Sequence, residues 1–406
     1  MQLKEVFAWA SYDLANTIFS ALFVTFFFPF YIKNFLGGNE FQIGLVFGIS
    51  MLLVALIVPI LGAISDKLKR RMPFIIFFTI VCCIFTLLVA FSGIYAALLF
   101  GLVANFCYHA ALTMYHALLP RVSTSSKIGK VSGIGVAMGY IGTIISLIIA
   151  YPILRKIGWE TLQGTKAMLI TTAILFFLFS LIIFFFIRER KYTNSNLIKS
   201  HIINSLKDVK NTFTKLKAQK GLIPFLVSLL FYNDAINAII IFLFLFGRDT
   251  IGLDVQNFFF VYALFAVTAS FGAFMSGIVV DKIGAKKVLV SAGILWIVVI
   301  ILLLNLTNLT SFIFIGSIGG IALGMTATAT RPKLIELVPR ENIGEYFGFF
   351  ELTDKFSGVL GPVIFGYLVV SYSYSIALLS LIVFFVMGLL FLYNVPNIKE
   401  KNTPVY

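Results

Sequence analysis

Twelve apolar stretches, each about as long as a bilayer crossing, leave this chain little choice of fold class. They fall at about 5–34, 41–65, 73–91, 94–119, 130–154 and 166–187, and again at about 221–247, 255–280, 286–306, 310–330, 345–370 and 374–394. At 1.5 Å per residue each can cross ~30 Å of hydrocarbon as a helix, some with tilt. A chain that is 60% hydrophobic and only 12% charged could not solvate itself as a soluble protein. The expectation is an all-α integral membrane protein of 12 transmembrane helices. The net charge of +14 does not signal nucleic acid, because the basic residues sit in short loops between apolar stretches. Cys82, Cys83 and Cys107 lie within apolar runs without metal-ligand spacing, so they read as small buried hydrophobes, and no metal or cofactor is expected. The first stretch is too long for a cleavable signal and is interrupted by Asp13 and Asn16.

Lys and Arg orient the spans. Of the 31, 25 fall in the intervals on one side and five on the other: Lys33, Arg155, Lys156, Lys166 and Arg248. Both termini are therefore expected to be cytoplasmic, in the plasma membrane. The interval near 188–220 carries Ile198, Ile202, Leu206, Val209, Phe213 and Leu216 at spacings of three and four, with lysines between them. It reads as a basic amphipathic helix on the lipid surface. The expected organisation is a six-helix bundle over 1–188, a linker over 189–220, a second bundle over 221–396 and a tail over 397–406.

The second half repeats the first. Gly62-Ala63-Ile64-Ser65-Asp66-Lys67, followed by Lys69-Arg70-Arg71, returns 215 residues later as Gly277-Ile278-Val279-Val280-Asp281-Lys282, followed by Lys286-Lys287. The first span carries Asp13-x-x-Asn16 and the seventh Asp234-x-x-Asn237, at similar depth. Two parallel halves imply a pseudo-twofold axis along the membrane normal and a cavity between the bundles, and such cavities move solutes.

The loop pattern resembles the G-x-x-x-D-[RK]-x-G-[RK]-[RK] motif of the major facilitator superfamily. Gly62, Asp66, Lys67, Arg70 and Arg71 match, with Leu68-Lys69 in place of x-Gly; Gly277, Asp281, Lys282, Gly284 and Lys286 match in the second copy. A closer resemblance is to the vacuole-effluxer-like branch. It is carried by Trp9, Tyr12-Asp13-Leu14-Ala15-Asn16, Tyr232-Asn233-Asp234, and the stretch from Glu345-Tyr346-Phe347-Gly348 through Thr353-Asp354-Lys355 to Gly361-Pro362. The branch has Trp where Leu14 stands. This resemblance implies a secondary transporter, with an amino acid as the favoured solute.

The polar residues inside the spans are the candidate sites. A carboxylate there is costly, so Asp13 and Asp234 should face a cavity, find a partner or carry a proton; packing through Asn16 and Asn237 weighs about evenly against that. Asn233 neighbours Asp234 on the seventh span. Glu351, Asp354 and Lys355 put three ionisable groups in the eleventh span, as a cavity wall or a fixed internal pair. His109 is a candidate solute contact or proton relay, with Asn105 one turn before it and His116 seven residues on. Gly62, Asp66, Lys67, Arg70, Arg71, Gly277, Asp281 and Lys282 read as a gating latch, the glycines permitting close helix approach and the aspartates pairing with helix N-termini or basic residues. Gly133, Gly135, Gly139, Gly142, Gly358, Gly361 and Gly366 read as close-packing positions, and Pro29, Pro59 and Pro362 as helix kinks.

A secondary transporter using alternating access is the leading expectation, moving a small polar solute, with protons or another ion as coupling partner and a monomer as the working unit. There is no G-x-x-x-x-G-K-[ST] loop for nucleotide-driven transport. The alternative is a polytopic enzyme acting on lipid-linked substrates, which would want paired aspartates at the surface to hold magnesium; none is clustered here. A sensor would want a folded soluble domain, and the central interval is too short for one.

Overall fold

The structure, a computed structural model, describes residues 3–68, 70–118, 122, 128–187, 189, 219–338, 346, 350, 352–354 and 356–396. The first span is one rod in three parts: α1 (Leu3–Phe19), a π-helical run (Ser20–Phe27) and α2 (Phe28–Phe35). α3 (Glu40–Leu68), α4 (Met72–Val89), α5 (Ile94–His116), α6 (Ile128–Ile157) and α7 (Leu162–Phe186) complete the first half. The second half is α8 (Leu222–Ile251), α9 (Val255–Ile283), α10 (Ala285–Leu304), α11 (Leu309–Leu337), α12 (Leu360–Ser371) and α13 (Tyr374–Tyr393). Eleven of these spans are long and apolar enough to cross a bilayer, and α12 is a shorter apolar helix.

An even number of crossings returns the chain to the end of the bundle where it began, here called the terminal end. At the opposite, far end, the connections are short and their polar residues cap the next helix. Thr161, Asp254 and Ser373 accept from backbone amides at the starts of α7, α9 and α13, and Asn308 and Ser311 form a reciprocal capping box on α11. Asn39 and Gln42 do the same at α3. Each cap satisfies amides that lipid and apolar protein could not.

Position in the bundle follows from burial. The first span has 89% of its apolar window buried and α8 61%, against 28% for α9. The first and seventh spans are thus the inner rods, and the others turn Phe77, Phe91, Phe185, Phe274 and Phe314 outward as a lipid-facing surface. Small residues allow the tightest crossings. A Cβ built on Gly142 of α6 would lie 2.5 Å from the Leu14 carbonyl, and one on Gly324 of α11 would meet the Ala273 amide of α9 at 2.5 Å.

One expectation changes. The eleventh span is not continuous: a turn at Ser357–Val359 separates the helical residues before it from α12. Pro29 lies where the π-helical run passes into α2, and Pro362 lies in the first turn of α12, just after the turn at Ser357–Val359. The amphipathic helix expected within 189–220 lies outside the described residues, apart from 189, 219 and 220.

Candidate functional site

Between Trp9 and Val24 only three side chains of the first span keep partial solvent access: Asp13, Thr17 and Ser20. Their spacing of four and three puts them on one face. Part of that face runs along α6, where a Cβ on Gly139 would lie 2.8 Å from Thr17 Oγ1. Asp13 is fitted closely: a Cβ on Gly135 of α6 would lie 2.5 Å from its Oδ2 and 2.8 Å from the Trp9 ring. Trp9 stacks on Tyr115 of α5 with centroids 4.7 Å apart, and its Nε1 donates to the Tyr115 carbonyl at 3.2 Å. His116 of α5 and Arg331 of α11, a residue of the other half, lie within electrostatic reach of the Asp13 carboxylate.

Asn16 is 3% exposed, and neither Oδ1 nor Nδ2 has a hydrogen-bond partner among the described residues. Asn105 is buried on α5 and donates from Nδ2 to Ser50 Oγ at 2.6 Å. His109, a turn away, is half-buried, with its ring 4.7 Å from that of Tyr108.

On α8, Asn233, Asn237 and Ile240 repeat the spacing and the partial exposure of Asp13, Thr17 and Ser20. Asn233 Nδ2 donates to Asp354 Oδ1 at 3.0 Å and Asn237 Nδ2 to the Ser357 carbonyl at 3.2 Å. Asp234 is fully buried, and its Oδ1 accepts from the Gly361 amide at 2.9 Å. Glu351 and Lys355 lie outside the described residues.

The repeat register is set by tyrosines rather than by the D-x-x-N pairs. Tyr12 Oη meets Thr79 Oγ1 of α4 at 2.6 Å and its ring faces Phe176 of α7; Tyr232 Oη donates to the Leu289 carbonyl of α10 at 3.2 Å and its ring faces Phe385 of α13. Gly142 abuts the Leu14 backbone as Gly361 abuts that of Asp234. Tyr12 therefore corresponds to Tyr232, Asp13 to Asn233 and Leu14 to Asp234. The two motifs are one residue out of register, about 100° around a helix.

The far end holds a polar lock that the sequence did not announce. Lys33 pairs with both Glu40 of its own half and Asp249 of the other. Tyr374 Oη donates to Glu40 at 2.8 Å and to Asp249 at 2.7 Å. Arg248 donates to both oxygens of Glu160 at 2.7 and 3.0 Å, and Glu160 also accepts from the Val255 amide. The Arg248 guanidinium holds the Glu160 carboxyl below the usual carboxylate range, against the effect of partial burial. Beneath these pairs Phe26 stacks on Phe244 at 4.4 Å and contacts Phe258 and Phe259, so the halves also close through aromatic rings. The π-helical run carries Phe26, α8 carries Phe244, and α9 carries Phe258 and Phe259. Lys33 and Arg248 are two of the five basic residues on the sparse side, and matching each to a nearby acid at a span end was the available signal.

At the terminal end Arg71, Lys286 and Lys333 are occupied. The Arg71 and Met72 amides donate to Glu189 at 2.7 and 2.9 Å, which caps α4, and the Arg71 guanidinium reaches the Ala117 carbonyl. Lys286 and Lys333 bind carbonyls at the end of α13, and Lys333 also pairs with Glu336. Arg70 is half-buried and Lys282 exposed. The side chains of Asp66, Lys67 and Asp281, and the surroundings of Gly62, lie outside the described residues. Gly277 is not at a close helix approach: a Cβ there would meet only Thr328, at 3.8 Å.

Comparison with known proteins gives this arrangement a family. The chain is 25% identical to an uncharacterised MFS-type transporter, YxiO, of Bacillus subtilis over 99% of its own length and 96% of the relative's. It is 25% identical to the multi-drug resistance efflux pump PmrA of Streptococcus pneumoniae, covering 86% and 87% of the two chains, and 22% identical to autophagy-related protein 22-1 of Aspergillus fumigatus, covering 72% and 52%. The fold is that of a bacterial homologue of the human lysosomal transporter Spinster in its inward-facing, unoccupied conformation (TM-score 0.73, 16% identity, 97% and 98% covered) and of the nucleoside transporter NupG (0.76, 15%, 97% and 100%). The family described as "Vacuole effluxer Atg22 like" matches residues 41–404. The chain belongs to this vacuole effluxer family within the major facilitator superfamily, and it is a membrane transporter rather than an enzyme.

Proposed function

We propose that this transporter moves an amino acid or similar small polar solute by alternating access, coupled to protons through Asp13. The observation that carries the reading is the polar, partly accessible face of Asp13, Thr17 and Ser20 on a rod otherwise enclosed by protein. A carboxylate is tolerated at that depth where it meets water, solute or an exchangeable proton. Asn16 adds two hydrogen-bonding atoms without partners among the described residues, and Asn233, Asn237, Asp354 and His109 add polar groups from both halves. Solute and proton would meet at this face, and rocking of the two bundles would expose it alternately.

The lock at the far end and the Lys/Arg bias together favour a state open toward the cytoplasm, with both termini there and the protein in the plasma membrane as a monomer. The loop motifs Gly62–Arg71 and Gly277–Lys282 would latch the terminal end in the opposite state. The bundles 1–188 and 221–396 would move as units joined by the linker 189–220. The efflux names among relatives favour export. The multi-drug efflux names among relatives make a cationic drug the second reading.

The test is pH-gradient-driven uptake of a pooled, labelled amino-acid mixture into proteoliposomes. Accumulation that a protonophore collapses supports the proposal. A folded, reconstituted protein that accumulates none of the pool but does move a cationic dye would favour the second reading.

A further inference from the structure

We infer that Asp234 is a positioning residue: it caps the start of α12, and so fixes the break in the eleventh span. The eleventh span must end one helix and begin another inside the bilayer, where no water satisfies the freed amides. α8 supplies the partners. Asp234 Oδ1 accepts from the Gly361 amide at 2.9 Å, and the Leu360 amide lies beside the same carboxylate. Asn237 binds the Ser357 carbonyl on the other side of the turn, and Asn233 holds Asp354 one turn before it. Three side chains within one and a half turns of α8 thus hold both flanks of Ser357–Val359. A carboxylate at a helix start also meets the positive end of the helix dipole.

Register supports this. Asp234 occupies the position of Leu14, on the face that packs against the glycine of the neighbouring helix, and is fully buried. Asp13 occupies the position of Asn233, on the accessible face. From α12 the constraint passes to the first half, because Gly44 and Gly48 of α3 abut Pro362, Val359 and Val363, and Gly366 abuts Glu40. A break held in place by α8 sets both the height of Asp354 and the seat of α3 on α12.

The inference rests on the transport reading only for its functional arm. Asn keeps a carbonyl oxygen that accepts from Gly361 and matches a carboxyl group in shape, whereas Ala keeps neither. Asp234→Asn should therefore retain uptake of the labelled amino-acid pool within about threefold with an unchanged pH profile, and Asp234→Ala should lose about tenfold or more. Hydrogen exchange by mass spectrometry over 356–371, which needs no solute, should rise in Asp234→Ala and return to the wild-type level in Asp234→Asn. Loss of gradient-driven accumulation in Asp234→Asn with exchange unaltered would overturn the inference in favour of a proton carrier. Wild-type exchange in Asp234→Ala would overturn it outright. If wild type moves no amino acid, the proposed substrate fails while the exchange comparison still decides the cap.

Discussion

The first and seventh spans occupy equivalent places in the two halves, and each carries an Asp and an Asn three residues apart, yet the two aspartates have different environments. Asp13 keeps partial access on a face shared with Thr17 and Ser20. Asp234, one position further round its helix, is sealed against the Gly361 amide. The contact with the neighbouring glycine is kept in both halves, through Leu14 in one and Asp234 in the other. A structural repeat thus preserves backbone packing more strictly than charge, and a duplicated motif is not a duplicated function. The asymmetry leaves one carboxylate partly accessible beside His116 and Arg331 and the other bound to the amide of a neighbouring helix.

The symmetric part of this comparison is the easiest to break. Gly142→Ala and Gly361→Ala each press a methyl into a neighbouring backbone, and each should cost about 1–3 kcal/mol, read as a lowered unfolding temperature in detergent. A much larger loss at one site than at the other would show that the two contacts are not equivalent.

The far-end lock sharpens the comparison from outside the motif. Glu160→Gln weakens a part-exposed pair and should favour opening of the far end by about 0.2–1 kcal/mol, seen as faster thiol labelling of a cysteine placed at Phe26. Because Arg248 lowers the Glu160 carboxyl below the usual carboxylate range, the Arg248–Glu160 pair is intact at neutral pH. This pair should weaken as the pH falls through that lowered value, and its contribution to the pH dependence should vanish in Glu160→Gln. The smallest stability effect belongs to Asn16. Its amide makes no hydrogen bond among the described residues, so Asn16→Ala should leave stability within about 1 kcal/mol while impairing transport. A large loss of stability instead would make Asn16 a packing residue.

Hydropathy was enough to read the spans, because a run that crosses a bilayer has no other stable conformation. The two halves were legible too, since the loop motif lies 215 residues from its copy. The break at Ser357–Val359 was hidden inside an apolar run, because a turn paid for by side chains of another helix leaves no mark on its own segment. The D-x-x-N pairs suggested an equivalence that Tyr12 and Tyr232 correct by one residue, a shift visible only once their partners on α4 and α10 are known. The lock was illegible for a related reason: Lys33, Glu40, Glu160, Arg248, Asp249 and Tyr374 are single residues from distant parts of the chain. Of the candidate site, the residue types on the first and seventh spans were readable, and which of them face the interior was not.

The most direct test of the account is to compare Asp13→Asn with wild type in proteoliposomes, measuring both proton-driven accumulation of the labelled pool and exchange without a gradient. The account predicts that Asp13→Asn loses protonophore-sensitive accumulation about tenfold or more while exchange persists, because the variant still binds and rocks but carries no proton. Wild-type accumulation in Asp13→Asn would contradict it and reduce Asp13 to a packing residue.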